Sequence, residues 1–245
     1  MILLDLADVV RAAGLTVAET PGWQARAHGP LAAVRTVTIH HTAGGAGDAP
    51  SLAVVRDGRP DLAGPLAQLL LARSGAVHVV AAGLCWHTGA TREPWQANAY
   101  SIGIEVENAG TPTDRYPPAQ LDALRRLCRV LCARYGIPHA RVLGHREICD
   151  PPGRKPDPLP DTLDMRAFRA ALTEEDTIDT PCKADPPAGV WQAAVRNAFG
   201  DIVSALQVLN GIERRVADLQ DQMQIAQDQL ERLERVVMTN SAGRP

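Results

Sequence analysis

The chain has 245 residues, of which 45% are hydrophobic and 22% are charged, a composition typical of soluble globular proteins. Its net charge of −3 excludes the basic surplus expected of a nucleic-acid-binding protein, and no segment approaches the ~20 apolar residues of a membrane span. The length allows one large domain, or one domain with an appendage.

The first 172 residues alternate between helix and strand patterns. An amphipathic helix begins the chain and ends before Gly14, and the run 34–44 alternates like a half-buried strand. Residues 67–83 form two apolar runs joined by Ser74-Gly75, which predicts a β-hairpin. A second alternating strand covers 101–107, and a helix covers 117–136. This order predicts an α/β or α+β domain over residues 1–172.

The two alternating strands each present a polar face. In the first, Val37 and Ile39 lie opposite Thr36, Thr38 and His40. In the second, the polar face carries four residues, which are Ser101, Gly103, Glu105 and Glu107. We expect Gly103 to leave room for a ligand beside Glu105, and Glu107 to be exposed to solvent.

The remainder of the chain has a different character. Residues 173–189 are acidic, contain three prolines and lack periodicity, which predicts a linker. Residues 190–238 follow a heptad pattern, and 239–245 are predicted to be a disordered tail. The pattern favours a coiled coil through which the chain forms a homo-oligomer; docking of this helix against its own domain is the alternative. The heptad positions are Ile212, Val216, Leu219, Met223, Ala226, Leu230, Leu233 and Val237.

Three fragments carry side chains that suit a metal site. They are His40-His41 at a strand end, His145 after a predicted strand, and Asp157 in the following loop. Two imidazoles and a carboxylate are a ligand set of catalytic zinc sites. Strand parity favours His40 over His41, although an isolated histidine is more often structural.

The segments "TVTIHHTAG", "WHTGA", "SIGIEVEN" and "GHREI…GRKPDP" resemble, in this order and spacing, the type-2 N-acetylmuramoyl-L-alanine amidases. The resemblance covers residues 20 to 172 and implies a mixed central β-sheet flanked by helices. The segments 21–30 and 58–83 are similar in particular to amidase domains of endolysins from phages of actinobacteria, and the arginine and alanine bias agrees with a GC-rich host.

The resemblance also implies roles for individual residues. His40, His145 and Asp157 match the zinc ligands, Glu105 matches the catalytic glutamate, and Lys155 matches the catalytic lysine. His87 matches a histidine that lines the cleft, so we expect it to contact substrate, and His41 is a second candidate for such a contact. Cys149 is an alternative metal ligand that the sequence leaves open.

Lys155 is unusual within this chain because the 25 basic residues include only two lysines, Lys155 and Lys183. Arginine's planar fork does not place a point charge where an ammonium does. Retention of a lysine at the matched position therefore agrees with a catalytic role. The alternative is that codon usage alone explains it.

The favoured reading is a zinc amidase that cuts bacterial peptidoglycan as a phage or prophage endolysin. The alternatives are a non-hydrolytic peptidoglycan-binding module and a phage structural protein with an amidase-like fold.

Five irregularly spaced cysteines indicate reduced thiols, and the acidic start of the chain does not resemble a signal peptide. We therefore expect the protein to stay in the host cytoplasm until lysis and then to reach the cell wall.

Overall fold

A computed structural model of the protein describes residues 1–173. Almost all of the predicted linker (173–189), the predicted coiled-coil helix (190–238) and the predicted tail (239–245) lie outside the described residues. No helix in residues 1–173 is long and apolar enough to cross a membrane.

A six-stranded mixed sheet organises the described residues. Its order is β1-β6-β5-β7-β2-β8, and only the β5–β6 pair is antiparallel. The strands are β1 (Val17–Glu19), β2 (Thr36–His41), β5 (Leu69–Leu71), β6 (Val77–Val79), β7 (Ser101–Val106) and β8 (Val142–Gly144). A separate two-stranded hairpin consists of β3 (Gly58–Arg59) and β4 (Leu62–Ala63).

Five α-helices accompany these strands in the described part of the chain. They are α1 (Leu6–Ala12), α2 (Leu52–Asp57), α3 (Pro118–Tyr135), α4 (His145–Ile148) and α5 (Met165–Ala171). The predicted opening helix, the hairpin over 67–83, both alternating strands and the helix over 117–136 are therefore confirmed. Gly14, Gly75 and Gly136 have φ values of 65°, 89° and 65°, which L-residues with a side chain rarely adopt.

The apolar face of the sheet forms the main core. Buried side chains of β2 and β7, such as Ile39 and Ile104, share this core with Leu127 of α3 and Phe168 of α5. A smaller cluster, which includes Val55 of α2 and Leu70 of β5, covers part of the other face. Both faces of the sheet thus carry buried apolar side chains, as is typical of parallel strands.

The prediction that β2 is half-buried is wrong, since Thr36 and Thr38 are fully buried. Its polar side chains are accommodated by hydrogen bonds rather than by solvent. Oγ1 of Thr38 lies 2.7 Å from Oγ of Ser101, and Oγ1 of Thr36 donates to the carbonyl of Arg141. A buried polar layer therefore runs along the sheet and leads to the carboxyl ends of β2 and β7.

Candidate metal centre

The carboxyl ends of three neighbouring parallel strands bring the polar side chains together. His40 near the end of β2 is directly paired with Glu105 of β7. On the other side of β2, strand β8 ends at Gly144, so His145 begins α4 at the same edge of the sheet. The amide of Arg146 donates to the carbonyl of Asp157 (2.7 Å), which holds the following loop against this edge.

Three side-chain atoms converge on one point. The Nδ1 atoms of His40 and His145 lie 3.0 Å apart, and each lies 3.1 Å from Oδ2 of Asp157. All three residues are buried, with exposed fractions of 2%, 2% and 6%. In a tetrahedral zinc site with bonds of about 2.0–2.1 Å, neighbouring ligand atoms lie about 3.3 Å apart. The triangle therefore has nearly the dimensions that zinc requires.

The hydrogen bonds of His145 also favour a cation. Nε2 of His145 lies 2.9 Å from the carbonyl oxygen of Thr88, which can only accept, so Nε2 must carry the proton. In the neutral ring Nδ1 is then a lone pair, and it faces the lone pairs of the Asp157 carboxylate. These two acceptors lie 3.1 Å apart with no hydrogen between them, and a metal ion bound to both would remove their repulsion.

The charges of His40 and Asp157 fit the same conclusion. Burial, and secondarily the neighbouring His145, lower the pKa of His40 to about 4, so this ring is neutral at neutral pH. Burial on its own raises the pKa of Asp157, but contacts with His145 and His40 outweigh it and hold this pKa below its ordinary value. Neutral imidazoles and an ionised carboxylate are the forms that bind zinc.

Glu105 lies beside this cluster in an environment that retains its proton. Its Oε2 atom is enclosed and has no hydrogen-bond partner among residues 1–173. Burial, together with the charges of Asp157 and Glu107, raises the pKa of Glu105 to about 8. A carboxyl group with such a pKa can both accept and donate a proton near neutral pH.

A cavity of about 530 Å³ opens above these residues. Glu105, His87 and the three converging residues lie on its floor. The walls combine charged and apolar side chains, which include His41, Val54, Arg59, Leu62, Trp86 and Lys155. Trp86 is 40% exposed and stacks on His28, with ring centroids 3.7 Å apart. The cavity has the size and mixed lining of a small-ligand site.

Lys155 and its neighbour Arg154 have different surroundings. The guanidinium of Arg154 donates to three backbone carbonyls, those of Asp150, Thr88 and Ala90, at 2.8, 3.1 and 2.8 Å. Lys155 instead lines the cavity together with Glu105. Arginine thus secures the loop, and lysine places an ammonium group at the site.

The structure places His87 deeper than expected of a residue that contacts substrate. It is 9% exposed, and its Nδ1 lies 3.1 Å from Nε2 of His40. Its ring also fills the space beside Gly103, where a Cβ atom would lie 2.9 Å from Cγ of His87. The room that we expected Gly103 to leave for a ligand is therefore occupied by this imidazole.

His41 lies at the cavity wall, half-buried, and packs against the loop that follows β7. A Cβ atom at Gly110, whose φ is 69°, would lie 2.7 Å from Nε2 of His41. Nδ1 of His41 is enclosed without a hydrogen-bond partner among the described residues, and burial lowers its pKa. The ring is neutral near pH 7 and supports the wall of the cavity.

The expectation that Glu107 is exposed is wrong. It is fully buried, and its carboxylate accepts hydrogen bonds from the amide and hydroxyl of Ser51 and from the hydroxyl of Thr42. These contacts hold the start of α2 and the end of β2 against β7. Glu107 therefore shapes the cavity wall rather than facing solvent.

The structure separates Cys149 from the converging group. Its thiol is buried and contacts the carbonyl of Arg146 at 3.7 Å. Within residues 1–173, the His, Cys, Asp and Glu side chains whose ligand atoms converge closely enough for a metal are His40, His145 and Asp157. This geometry favours Asp157 as the third ligand.

Sequence reasoning missed three residues that support the site, namely Thr88, Asn98 and Arg154. Thr88 contacts His145 through its backbone carbonyl, which any residue type could supply. Asn98 accepts three hydrogen bonds from the segment that contains His87, and Arg154 donates to backbone carbonyls. None of these contacts leaves a pattern in the sequence, since each depends on how distant segments meet.

Zinc is expected to raise the thermal transition of the full-length protein. At a free zinc concentration 100 times the Kd, stabilisation is about 2.7 kcal/mol, which corresponds to about 5–10 °C for a domain of this size. Scanning calorimetry with zinc, with magnesium and with a chelator measures the effect. Magnesium should give no comparable shift, because it prefers oxygen ligands. A shift that persists in Asp157→Ala would contradict the assigned ligand set.

A family model described as N-acetylmuramoyl-L-alanine amidase matches residues 30–160, more than half of the chain. The matched range contains all five residues of the site, which are His40, Glu105, His145, Lys155 and Asp157.

Individual proteins and solved structures are also similar to this chain. The N-acetylmuramoyl-L-alanine amidase AmiD of Escherichia coli is 40% identical over 86 residues, which cover 31% of this chain and 30% of that protein. The chain thus spans less than a third of this relative. The solved structure of E. coli AmiD with anhydro-N-acetylmuramic acid-L-Ala-D-gamma-Glu-L-Lys has a TM-score of 0.46 and 26% identity over 60% of each chain. A mutant endolysin from Bacillus subtilis has a TM-score of 0.48 and 21% identity over 64% of this chain and 99% of that one.

Proposed function

Because the chain belongs to the N-acetylmuramoyl-L-alanine amidase family, we propose that it is a zinc-dependent hydrolase of bacterial peptidoglycan. The bond cut is the amide between N-acetylmuramic acid and L-alanine of the stem peptide. One observation carries the proposal: two Nδ1 atoms and one carboxylate oxygen converge within 3.0–3.1 Å at the floor of a cavity that also presents Glu105 and Lys155.

His40, His145 and Asp157 would hold the zinc ion. When bound, zinc acts as a Lewis acid on a carbonyl oxygen and makes water more acidic. His40, His145 and Asp157 themselves line the cavity, together with Glu105 and Lys155, so the site is open to that space. Substrate and water can therefore approach from that side.

Glu105 would act first as general base and then as general acid. It accepts a proton from water as the water oxygen bonds to the amide carbon, and it delivers this proton to the nitrogen of L-alanine as the C–N bond breaks. A pKa raised to about 8 by burial suits both steps, because it lies close enough to neutral pH for the carboxylate to accept a proton and for the acid to donate one. The register of β7 against β2 fixes Glu105 next to His40.

Lys155 would stabilise the charge that develops on the amide oxygen. Lys155 is the only lysine within residues 1–173, and it lines the cavity together with Arg59, whose guanidinium pairs with Asp61 at 2.9 Å. The ammonium group of Lys155 is therefore the compact positive charge available there. A cation placed before the reaction begins requires little reorganisation, which is the basis of oxyanion stabilisation. The guanidinium of Arg154, which holds three carbonyls, secures the loop that carries Lys155.

We further propose that the protein acts as a phage or prophage endolysin, held in the host cytoplasm until lysis gives it access to the cell wall. The similarity of segments 21–30 and 58–83 to endolysins from phages of actinobacteria supports this role.

The heptad pattern within residues 190–238 supports self-association through that helix. Light scattering tests this self-association by comparing the mass of the full-length chain with that of a variant in which Leu219 and Met223 are changed to aspartate.

Digestion of purified sacculi tests the proposed reaction. The zinc-loaded wild type should release stem peptides with a free N-terminal L-alanine, detected by mass spectrometry, and a chelator should stop the release. His145→Ala should release about 10³-fold less or nothing, because removal of one ligand takes away the metal's Lewis acidity. Binding of sacculi of several chemotypes without release of such peptides would instead establish a binding module.

A further inference from the structure

Both imidazoles of the metal centre use the same short segment as their outer hydrogen-bond partner. Nε2 of His40 lies 3.1 Å from Nδ1 of His87, and Nε2 of His145 lies 2.9 Å from the carbonyl oxygen of Thr88. The rings of His40 and His87 meet edge to face, with centroids 5.2 Å apart. Two adjacent residues thus contact the outer ring nitrogens of two histidines that are 105 residues apart in sequence.

One side chain holds this segment in place. Oδ1 of Asn98 accepts hydrogen bonds from the amides of His87 and Thr88, both at 2.9 Å, and from the hydroxyl of Thr88 at 3.1 Å. Three donors around one atom identify that atom as oxygen and leave no alternative orientation of the amide. Asn98 begins the 3₁₀ turn Asn98–Tyr100, which leads directly into β7.

The opposite side of the segment is equally constrained. The ring of His87 rests on Gly103 of β7, where no Cβ atom would fit, and Nη2 of Arg154 donates to the carbonyl of Thr88 at 3.1 Å. His87 and Thr88 therefore cannot shift without loss of several buried contacts. The segment is rigid on both sides at the point where it meets the two ligands.

We propose that His87, Thr88 and Asn98 form one positioning unit that fixes the orientation and the tautomer of both imidazole ligands. This inference rests on the proposed zinc-dependent function. Outer hydrogen-bond partners of metal-bound histidines orient the ring and set which nitrogen carries the proton. Here the two outer partners are the adjacent residues His87 and Thr88, which the side-chain amide of Asn98 holds in place. This one amide therefore positions both rings.

The number of protons available determines which nitrogen of His40 and of His87 is protonated. If a metal binds Nδ1 of His40, the proton of this neutral ring is on Nε2. This N–H group must then donate to Nδ1 of His87. The proton of His87 is then on Nε2. Without metal, Nδ1 of His40 can carry the proton and donate to Asp157, while Nδ1–H of His87 donates to Nε2 of His40. Metal binding therefore reverses the direction of the His40–His87 hydrogen bond.

Zinc affinity of the full-length protein, measured by competition with a chromophoric chelator, tests the inference. Asn98→Ala and His87→Phe should each weaken zinc binding about 10–100-fold, the usual effect of loss of an outer partner. Asn98→Asp keeps an acceptor oxygen at the same place and should bind within about threefold of the wild type. This pair separates the acceptor from general damage to the fold, which circular dichroism of the metal-free proteins also monitors.

Nitrogen-15 NMR of the histidine rings gives a second measurement that does not depend on the variants. The zinc-loaded wild type should show Nε2–H on His87 and on both ligands, and zinc removal should change the tautomer of His87. Equal affinities in folded Asn98→Ala and wild type, or Nδ1–H on His87 in the zinc form, would overturn the inference alone. Failure of the wild type to bind zinc would overturn the proposed function together with it.

Discussion

Glu105→Gln is expected to lower the rate of amide hydrolysis about 10²–10⁴-fold and to leave zinc binding intact. The amide of glutamine has nearly the same shape as the carboxyl group but cannot accept the proton of water. Glu105 is not one of the three residues whose ligand atoms converge, so the metal centre stays complete. Release of stem peptides and zinc content, measured on the same preparation, separate loss of proton transfer from loss of metal.

The same change should stabilise the metal-free protein in alkaline solution. Burial raises the pKa of Glu105 from an ordinary value of 4.5 to about 8. Between these two pH values the folded chain retains a proton that the unfolded chain has released, so ionisation costs folding free energy as the pH rises. The cost is absent below about pH 4.5 and reaches at most about 5 kcal/mol above about pH 8. Glutamine does not ionise and avoids this cost.

Urea unfolding in the presence of a chelator, at pH 5 and at pH 9, measures this effect. Glu105→Gln should unfold at a higher urea concentration than the wild type at pH 9 and at nearly the same concentration at pH 5. Glu107→Gln is the matched control, because Glu107 is buried two residues away but accepts three hydrogen bonds. That variant should be destabilised by about 1.5–3 kcal/mol. Equal stability of Glu105→Gln and wild type at pH 9 would show that Glu105 is well solvated.

The contrast between Glu105 and Glu107 also shows what the sequence could not reveal. Strand alternation places both carboxylates on the polar face of the second strand, and a periodicity of two cannot distinguish them. Their environments differ because the amide and hydroxyl of Ser51 reach Glu107, whereas Oε2 of Glu105 has no partner among residues 1–173. Ser51 is 56 residues away in sequence, so only the folded arrangement identifies the structural carboxylate.

The three candidate metal ligands were easier to anticipate than the residues that support them. Side-chain alternation singled out His40, and a pattern of segments typical of the family suggested His145 and Asp157. The structure brings these three together because β2 and β8 are parallel neighbours whose carboxyl ends meet at one edge. His87 and Thr88 act through a ring nitrogen and a backbone carbonyl toward residues 47 and 57 positions away. Contacts of this kind depend on the path of the chain and not on a local pattern.

Lys155→Arg is expected to lower kcat about 10²–10³-fold, although it preserves the positive charge. That is the usual loss when one group that stabilises an oxyanion is removed or misplaced. Arginine spreads its charge over a planar fork and seeks several acceptors at once, whereas an ammonium group is a compact charge on a flexible stem. Arg154 is an example in the same loop, since its guanidinium donates hydrogen bonds to three backbone carbonyls.

Lys183→Arg provides the matched control for this change. Lys183 is the other lysine of the chain and falls in the predicted linker, so its replacement should leave kcat unchanged. Peptide release with zinc content measured in parallel compares the two variants, and KM should change much less than kcat if Lys155 acts on the transition state. A fully active Lys155→Arg would mean that any cation suffices at this position. Lysine would then be retained for no chemical reason in a chain that otherwise uses arginine. A selective loss would show instead that the site requires one small, localised charge beside the scissile carbonyl.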